Sequence, residues 1–126
     1  AVPGDRMSAA TGVRMLPAPE AGKLLPPELT AKMMAILEGT TTGAGRLKAG
    51  APEGAAVYHK TGTGADVGEV NSATNDIGII ELADGRKLAV AVFLSGSELP
   101  SDQREAIIAQ VARIAVGALA PADAVP

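Results

Sequence analysis

The residues of this chain best suited to chemistry are Lys60-Thr61-Gly62, extended by Thr63-Gly64. They close a segment, Ala55 to Thr61, that reads as a strand bounded by Gly54 and Gly62. A cation, a hydroxyl and a backbone N–H are thereby set beside an opening at a strand end. Those are the parts needed to hold a carboxylate and to polarise a carbonyl. Taken by itself a Lys-Thr-Gly triplet is a weak signal. Without support from its flanks, Lys60 reads as a solvated charge, and Thr61 and Thr63 as ordinary strand residues.

Other chemistries find little material. There is no cysteine, which excludes a disulfide framework and a thiolate metal site. The single histidine, His59, has no carboxylate at a recognisable ligand spacing, so neither a metal nor a cofactor is expected. His59 reads as a packing or surface residue rather than a general base. Asp76 and Glu81 fall on opposite faces of one strand and do not form a catalytic pair. The net charge of −3, with 11 scattered Lys and Arg, argues against nucleic acid as a partner. No basic amphipathic segment or long apolar run points to a membrane.

The elements that must position Lys60 to Thr63 follow from hydrophobic period and punctuation. At 126 residues the chain fits one domain, 1–126. Ser8 is placed to cap a short helix through Leu16, which Pro17 and Pro19 stop. Pro26-Pro27, Glu28 and the spacing of Leu29, Met33, Ile36 and Leu37 predict a helix from Pro27 to Glu38, ended by Gly39. After the first strand, a Gly- and Asn-containing loop covers 63–74. Strands follow at Asp76–Leu82 and Lys87–Leu94, joined by a tight Asp84-Gly85 turn. Ser101 or Asp102 is expected to cap a long helix with an apolar stripe of Ile107, Ile108, Val111, Ile114, Ala115 and Leu119, read as core. The tail, 120–126, is expected to be loose.

The fold class is therefore α+β: a three-stranded antiparallel meander packed with a long C-terminal helix and an upstream helix. One strand fits such a domain poorly. Leu88 to Leu94 is apolar at every position, as a strand covered on both faces reads, yet in a plain meander it lies at the sheet edge. Either helices of this chain cover both faces, or further strands pair beside it. The second reading is preferred, which makes the chain one partial domain.

The flanking sequence resembles class A serine β-lactamases. The resemblance rests on Thr40-Thr41-Thr42-Gly43-Ala44-Gly45-Arg46-Leu47-Lys48, Pro52, Gly54, His59-Lys60-Thr61-Gly62-Thr63, Ala73-Thr74-Asn75-Asp76-Ile77-Gly78-Ile79-Ile80, Asp84-Gly85 and Ala89-Val90-Ala91-Val92-Phe93-Leu94-Ser95. It runs from about Asp5 to about Leu119. It implies a C-terminal portion that starts within the omega loop and belongs to a larger five-stranded sheet. It also implies a periplasmic or secreted protein.

By that resemblance Lys60 supplies positive charge near the substrate and the nucleophile, and Thr61 bonds the substrate carboxylate. Thr63 gives its backbone N–H to the oxyanion hole and its hydroxyl to the substrate, with Gly62 between them. Arg46 stands behind the carboxylate, Thr42 lines the same pocket, and Asp5 matches an acid of the omega loop. The chemistry also needs Ser-x-x-Lys, Ser-Asp-Asn and a water-positioning glutamate. None of Ser8, Ser72, Ser95, Ser97 or Ser101 is followed three residues later by lysine, and Ser101-Asp102-Gln103 is the nearest approach to the second motif. The family's glutamate would fall before residue 1. The chain alone is expected to be inactive, and to meet a β-lactam only together with an N-terminal half. The alternatives are a noncatalytic domain that self-associates through the 88–94 edge, or part of a penicillin-binding D-alanyl-D-alanine peptidase.

Overall fold

The computed structural model describes residues 6–17 and 24–119. Asp5, Pro19 and the tail 120–126 lie outside them. In chain order the elements are α1 (Ala9–Met15), α2 (Pro27–Glu38), α3 (Leu47–Gly50), β1 (Ala56–Thr63), β2 (Asp66–Val67), β3 (Val70–Asn71), β4 (Thr74–Glu81), β5 (Lys87–Leu94) and α4 (Ser101–Ala118). The class is α+β, as the sequence predicts. Strands β1, β4 and β5 form an antiparallel sheet in the order β1-β4-β5, and β2-β3 is a small separate hairpin.

Register explains which side chains meet. Val57 faces Ile80, which faces Leu88, while Lys60 faces Ile77 and Thr61 faces Asp76. Alternation then sends Val57, His59, Thr61 and Thr63 to one face, and Tyr58, Lys60 and Gly62 to the other. The first face carries the core, where Leu47, Val57, Ile80, Val90, Ile108 and Ala112 pack together beneath α3 and α4. Gly50 permits this approach, because a Cβ there would lie 2.2 Å from Ala109 O and 2.6 Å from Ala112 Cβ. The opposite face of β4 and β5 is covered by α1, whose Gly12 sits against Ile77 and Ala91.

Both faces of β5 are thus covered by helices of this chain, which accounts for its unbroken apolar run. Its outer edge has no strand beside it among the described residues.

Several boundaries differ from expectation. β1 continues through Gly62 to Thr63, so the triplet lies inside the strand; Gly62 and Thr63 still find partners in Asn75 and Thr74. β4 accordingly begins at Thr74 and ends at Glu81. The 63–74 loop contains the β2-β3 hairpin. α1 is capped as expected, the Ser8 side chain accepting from Thr11 N–H, and α2 has the expected limits.

The long helix α4 starts at Ser101 behind a Pro100 cap, so neither Ser101 nor Asp102 serves as the cap. Its expected stripe is also corrected. The buried residues are Arg104, Ile108, Ala109 and Ala112, whereas Ile107, Val111 and Ile114 are exposed. The small face wins because alanines let α4 sit close to α3 and the sheet. Bulkier side chains would hold it off.

Candidate active site

The site is built around β1. His59 O accepts from Thr40 Oγ1 at 2.8 Å, so the backbone groups of His59 point away from β4. Antiparallel alternation directs those of Thr61 and Thr63 the same way, off the free edge of the strand. The Thr63 N–H therefore faces outward at an exposed position.

Lys60 and Gly62 project to the α1 side. There an open cleft of about 750 Å³ is lined by Arg6, Met7, Lys60, Thr61, Gly62, Ser72, Ala73, Asn75, Ile77, Phe93 and Ser95. Its floor is apolar, from Ile77, Phe93 and Met7, and its cations are Lys60 and Arg6. Lys60 Nζ donates to the outward carbonyl of Thr61 at 2.6 Å. The ammonium consequently stands at the strand edge rather than deep in the cleft.

Behind β1, on the other face, Arg46 is 5 % exposed and commits most of its guanidinium to protein acceptors. Nε donates to Glu105 Oε1 at 3.1 Å, and Nη1 donates to Gly62 O at 3.2 Å and Asn75 O at 2.9 Å. Nη2 donates to Thr63 Oγ1 at 2.8 Å. One of its five N–H groups remains uncommitted among the described residues, and it belongs to the nitrogen that touches Thr63. Thr63, accepting from Arg46, keeps its own hydroxyl hydrogen to donate. Thr42 Oγ1 and Thr61 Oγ1 are 2.6 Å apart, which ties the 40–46 loop to the same strand. Gly43, at φ 62, lets the loop turn where a Cβ would strike Thr61 Cγ2 at 2.5 Å.

The structure thus brings Lys60, Thr61, Gly62, Thr63, Arg46 and Thr42 into one cluster at the edge of β1. Lys60, Thr61 and Gly62 line the cleft, and Arg46 and Thr42 reach the threonine hydroxyls from behind. Beyond Gly64, buried Asn71 donates to Gly64 O at 3.0 Å and to Asp66 Oδ1 at 2.7 Å, and accepts from Thr74 Oγ1 at 2.8 Å. These bonds fix the hairpin at the end of the site.

His59 is a packing residue, 1 % exposed, and Asp76 is wholly buried beside it. His59 Nδ1 lies 3.0 Å from Asp76 Oδ1 and 2.9 Å from Oδ2. Glu81 lies on the opposite face, beside Lys87 at 3.7 Å. No group of three or more metal-binding side chains exists among the described residues.

Sequence reasoning missed Asp76 and Glu105 as partners of this site. A carboxylate on a core-facing strand position, as at Asp76, was a signal that a buried donor must face it. Glu105 shares the Ile108-Ala109-Ala112 side of a helix, a spacing overshadowed by the larger Ile107 and Val111.

Residues 3–119 match the sequence profile described as the β-lactamase enzyme family. Over 76 residues the chain is 55% identical to the extended-spectrum β-lactamase PER-1 of Pseudomonas aeruginosa, covering 60% of this chain and 25% of that protein. A β-lactamase structure from Chitinophaga pinensis superposes with a TM-score of 0.82 at 35% identity, covering 86% of this chain and 40% of that one. A class A β-lactamase from Bacteroides cellulosilyticus gives 0.84 at 30% identity, covering 89% and 41%. The chain spans about a quarter of the length of PER-1 and about two fifths of those two structures.

Proposed function

Since this chain belongs to the class A β-lactamase family, we propose that it supplies the Lys-Thr-Gly wall of a β-lactam-binding site. In this reading the substrate lies along the free edge of β1. Its carboxylate is taken by the Thr61 and Thr63 hydroxyls and by the spare N–H of Arg46. Lys60 adds positive charge alongside, and Gly62 leaves room for the ligand against the strand. The outward N–H of Thr63 serves as one oxyanion donor, worth most where water is excluded. The observation that carries the reading is the convergence of Arg46, Thr61 and Thr63 on one strand edge, with Lys60 at its rim.

The acyl-forming serine and its lysine come from another segment, because no serine of this chain has lysine three residues on. Two features support docking of such a segment: the edge of β5, which pairs with no further strand among the described residues, and the exposed apolar row Ile107, Val111 and Ile114 on α4. An unpaired apolar strand edge is a ready template for another strand. On this proposal 1–126 is one partial domain of a periplasmic or secreted hydrolase that confers β-lactam resistance.

The test is complementation. The chain is mixed with the separately produced N-terminal segment of a class A relative carrying Ser-x-x-Lys and Ser-Asp-Asn, and hydrolysis of a chromogenic cephalosporin is followed. Turnover is expected only when both are present. Turnover by this chain alone would contradict the assignment of the nucleophile to another segment. The same open edge favours a second reading, self-association of two copies through β5. A concentration-independent monomer by analytical ultracentrifugation would exclude it.

A further inference from the structure

Asp76 is the one wholly buried carboxylate among the described residues, and both of its acceptors are spent on groups adjoining the site's two proposed cations. Its Oδ2 accepts the N–H of Leu47, the residue after Arg46, at 3.2 Å. The same carboxylate receives Nδ1 of His59, the residue before Lys60, at 2.9 Å. In the sheet register Asp76 is also the cross-strand partner of Thr61.

We propose that Asp76, acting with His59, is a positioning residue that locks the Arg46 turn onto the Lys60–Thr63 strand, so that Arg46 and Thr63 meet at the substrate carboxylate. This rests on the reading of that edge as a carboxylate-binding site.

Stability alone is a poor reason for the pair. A buried charged or polar pair often contributes little over apolar residues of the same volume. This one additionally leaves His59 Nε2 buried without a partner among the described residues, a cost that a purely apolar core avoids. What the pair does achieve is geometric. Arg46 enters from a loop with two nearby glycines, Gly43 and Gly45, and its backbone needs a fixed anchor. The Leu47 N–H bond to Asp76 is that anchor, and His59 ties the same carboxylate to β1. The bonds from Nη1 to Gly62 O and Asn75 O, and from Nη2 to Thr63 Oγ1, then close the assembly from the side-chain end.

The substitution Asp76→Asn keeps the volume but sets an amide N–H₂ against the donor on His59, or forces the ring into its other tautomer. Two readouts on the full chain separate positioning from function. In the first, hydrogen exchange of Leu47 N–H and Arg46 Nε–H is measured by NMR without ligand. Exchange at both is expected to quicken about tenfold or more in Asp76→Asn, as for loss of one charged hydrogen bond. The core variant Ile80→Val should leave the Arg46 signal protected. In the second, benzylpenicillin and its methyl ester are titrated onto the chain mixed with the N-terminal segment of a class A relative whose acyl-forming serine is replaced by alanine. Asp76→Asn should weaken binding of the acid at least fivefold and leave that of the ester unchanged.

His59→Asn, whose Nδ2 stands where Nδ1 stood, should keep both readouts within about threefold of the parent. It also decides the matter if Asp76→Asn does not fold, since loss of Arg46 protection in His59→Asn would then overturn the proposal. Unchanged Arg46 exchange in a folded Asp76→Asn overturns it as well, whatever the ligand does. If the parent chain, complemented in this way, does not bind the acid, the carboxylate-site reading fails, while the exchange data still judge the lock between turn and strand.

Discussion

Arg46 Nη2 donates to the hydroxyl of Thr63 at 2.8 Å, from the face of β1 opposite Lys60. A cation reached from the core side and a cation reached from the cleft side therefore meet at one strand edge. Because Arg46 is also bonded to Glu105, Gly62 O and Asn75 O, it ties the strand to α4 as well as reaching Thr63.

Arg46→Lys should consequently destabilise the fold although charge is kept, since an ammonium cannot reproduce the planar fork. Loss of about 2–3 kcal/mol in urea denaturation is expected. That is below the roughly 3–5 kcal/mol for breaking a fully buried pair, because charge is kept and the Glu105 side chain is 26% exposed. A change under 0.5 kcal/mol would show that the network is slack.

The two faces of α4 give a direct contrast. Ile108 is fully buried and Ile114 is 62 % exposed. Ile108→Ala should cost about 3 kcal/mol and Ile114→Ala no more than about 0.5 kcal/mol, read by the same denaturation. Comparable losses at both would restore the stripe that the sequence alone suggests, which places both residues in the core.

Gly50→Ala should be destabilising by about 1–3 kcal/mol, because its Cβ would collide with backbone Ala109 O at 2.2 Å. Gly117→Ala, in the same protein, meets open space and should be neutral or slightly stabilising. Thermal melts of the two variants compare them directly.

The backbone N–H of Arg86, and secondarily its guanidinium, hold the Asp84 carboxyl below its ordinary 3.8. A depressed carboxylate favours the folded state above its unfolded value and loses that advantage as pH falls through the folded one. Asp84 is exposed, so the acid-side effect on stability should be slight. A carboxyl ¹³C titration should place its midpoint below 3.8. In Arg86→Gln the midpoint should rise only partway, since the backbone donor remains. A full return would assign the shift to the guanidinium instead.

Much of this architecture is legible in the sequence because its signals are local. Pro26-Pro27 and Gly39 bracket α2, and Asp84-Gly85 turns β4 into β5. What escapes is whatever depends on register or on small residues. His59 and Asp76 are 17 residues apart, and only the pairing of β1 with β4 sets them side by side. The buried face of α4 is partly alanine, which carries little hydrophobic signal against Ile107 and Val111. Arg46 and Glu105 are 59 residues apart and could be joined only by the packing of α4. The Lys60–Thr63 motif was readable as chemistry, but the cation behind it was readable only through family resemblance.

The most direct test of the central claim, that the edge of β1 reads the carboxylate of a β-lactam, is an amide NMR titration of the labelled chain, mixed with the N-terminal segment of a class A relative whose acyl-forming serine is replaced by alanine, with benzylpenicillin and, separately, its methyl ester. The account expects saturable shifts at Lys60 to Gly64 and at Arg46 with the acid, and their loss with the ester. Shifts that are absent, that fall elsewhere, or that are equal for acid and ester would contradict it.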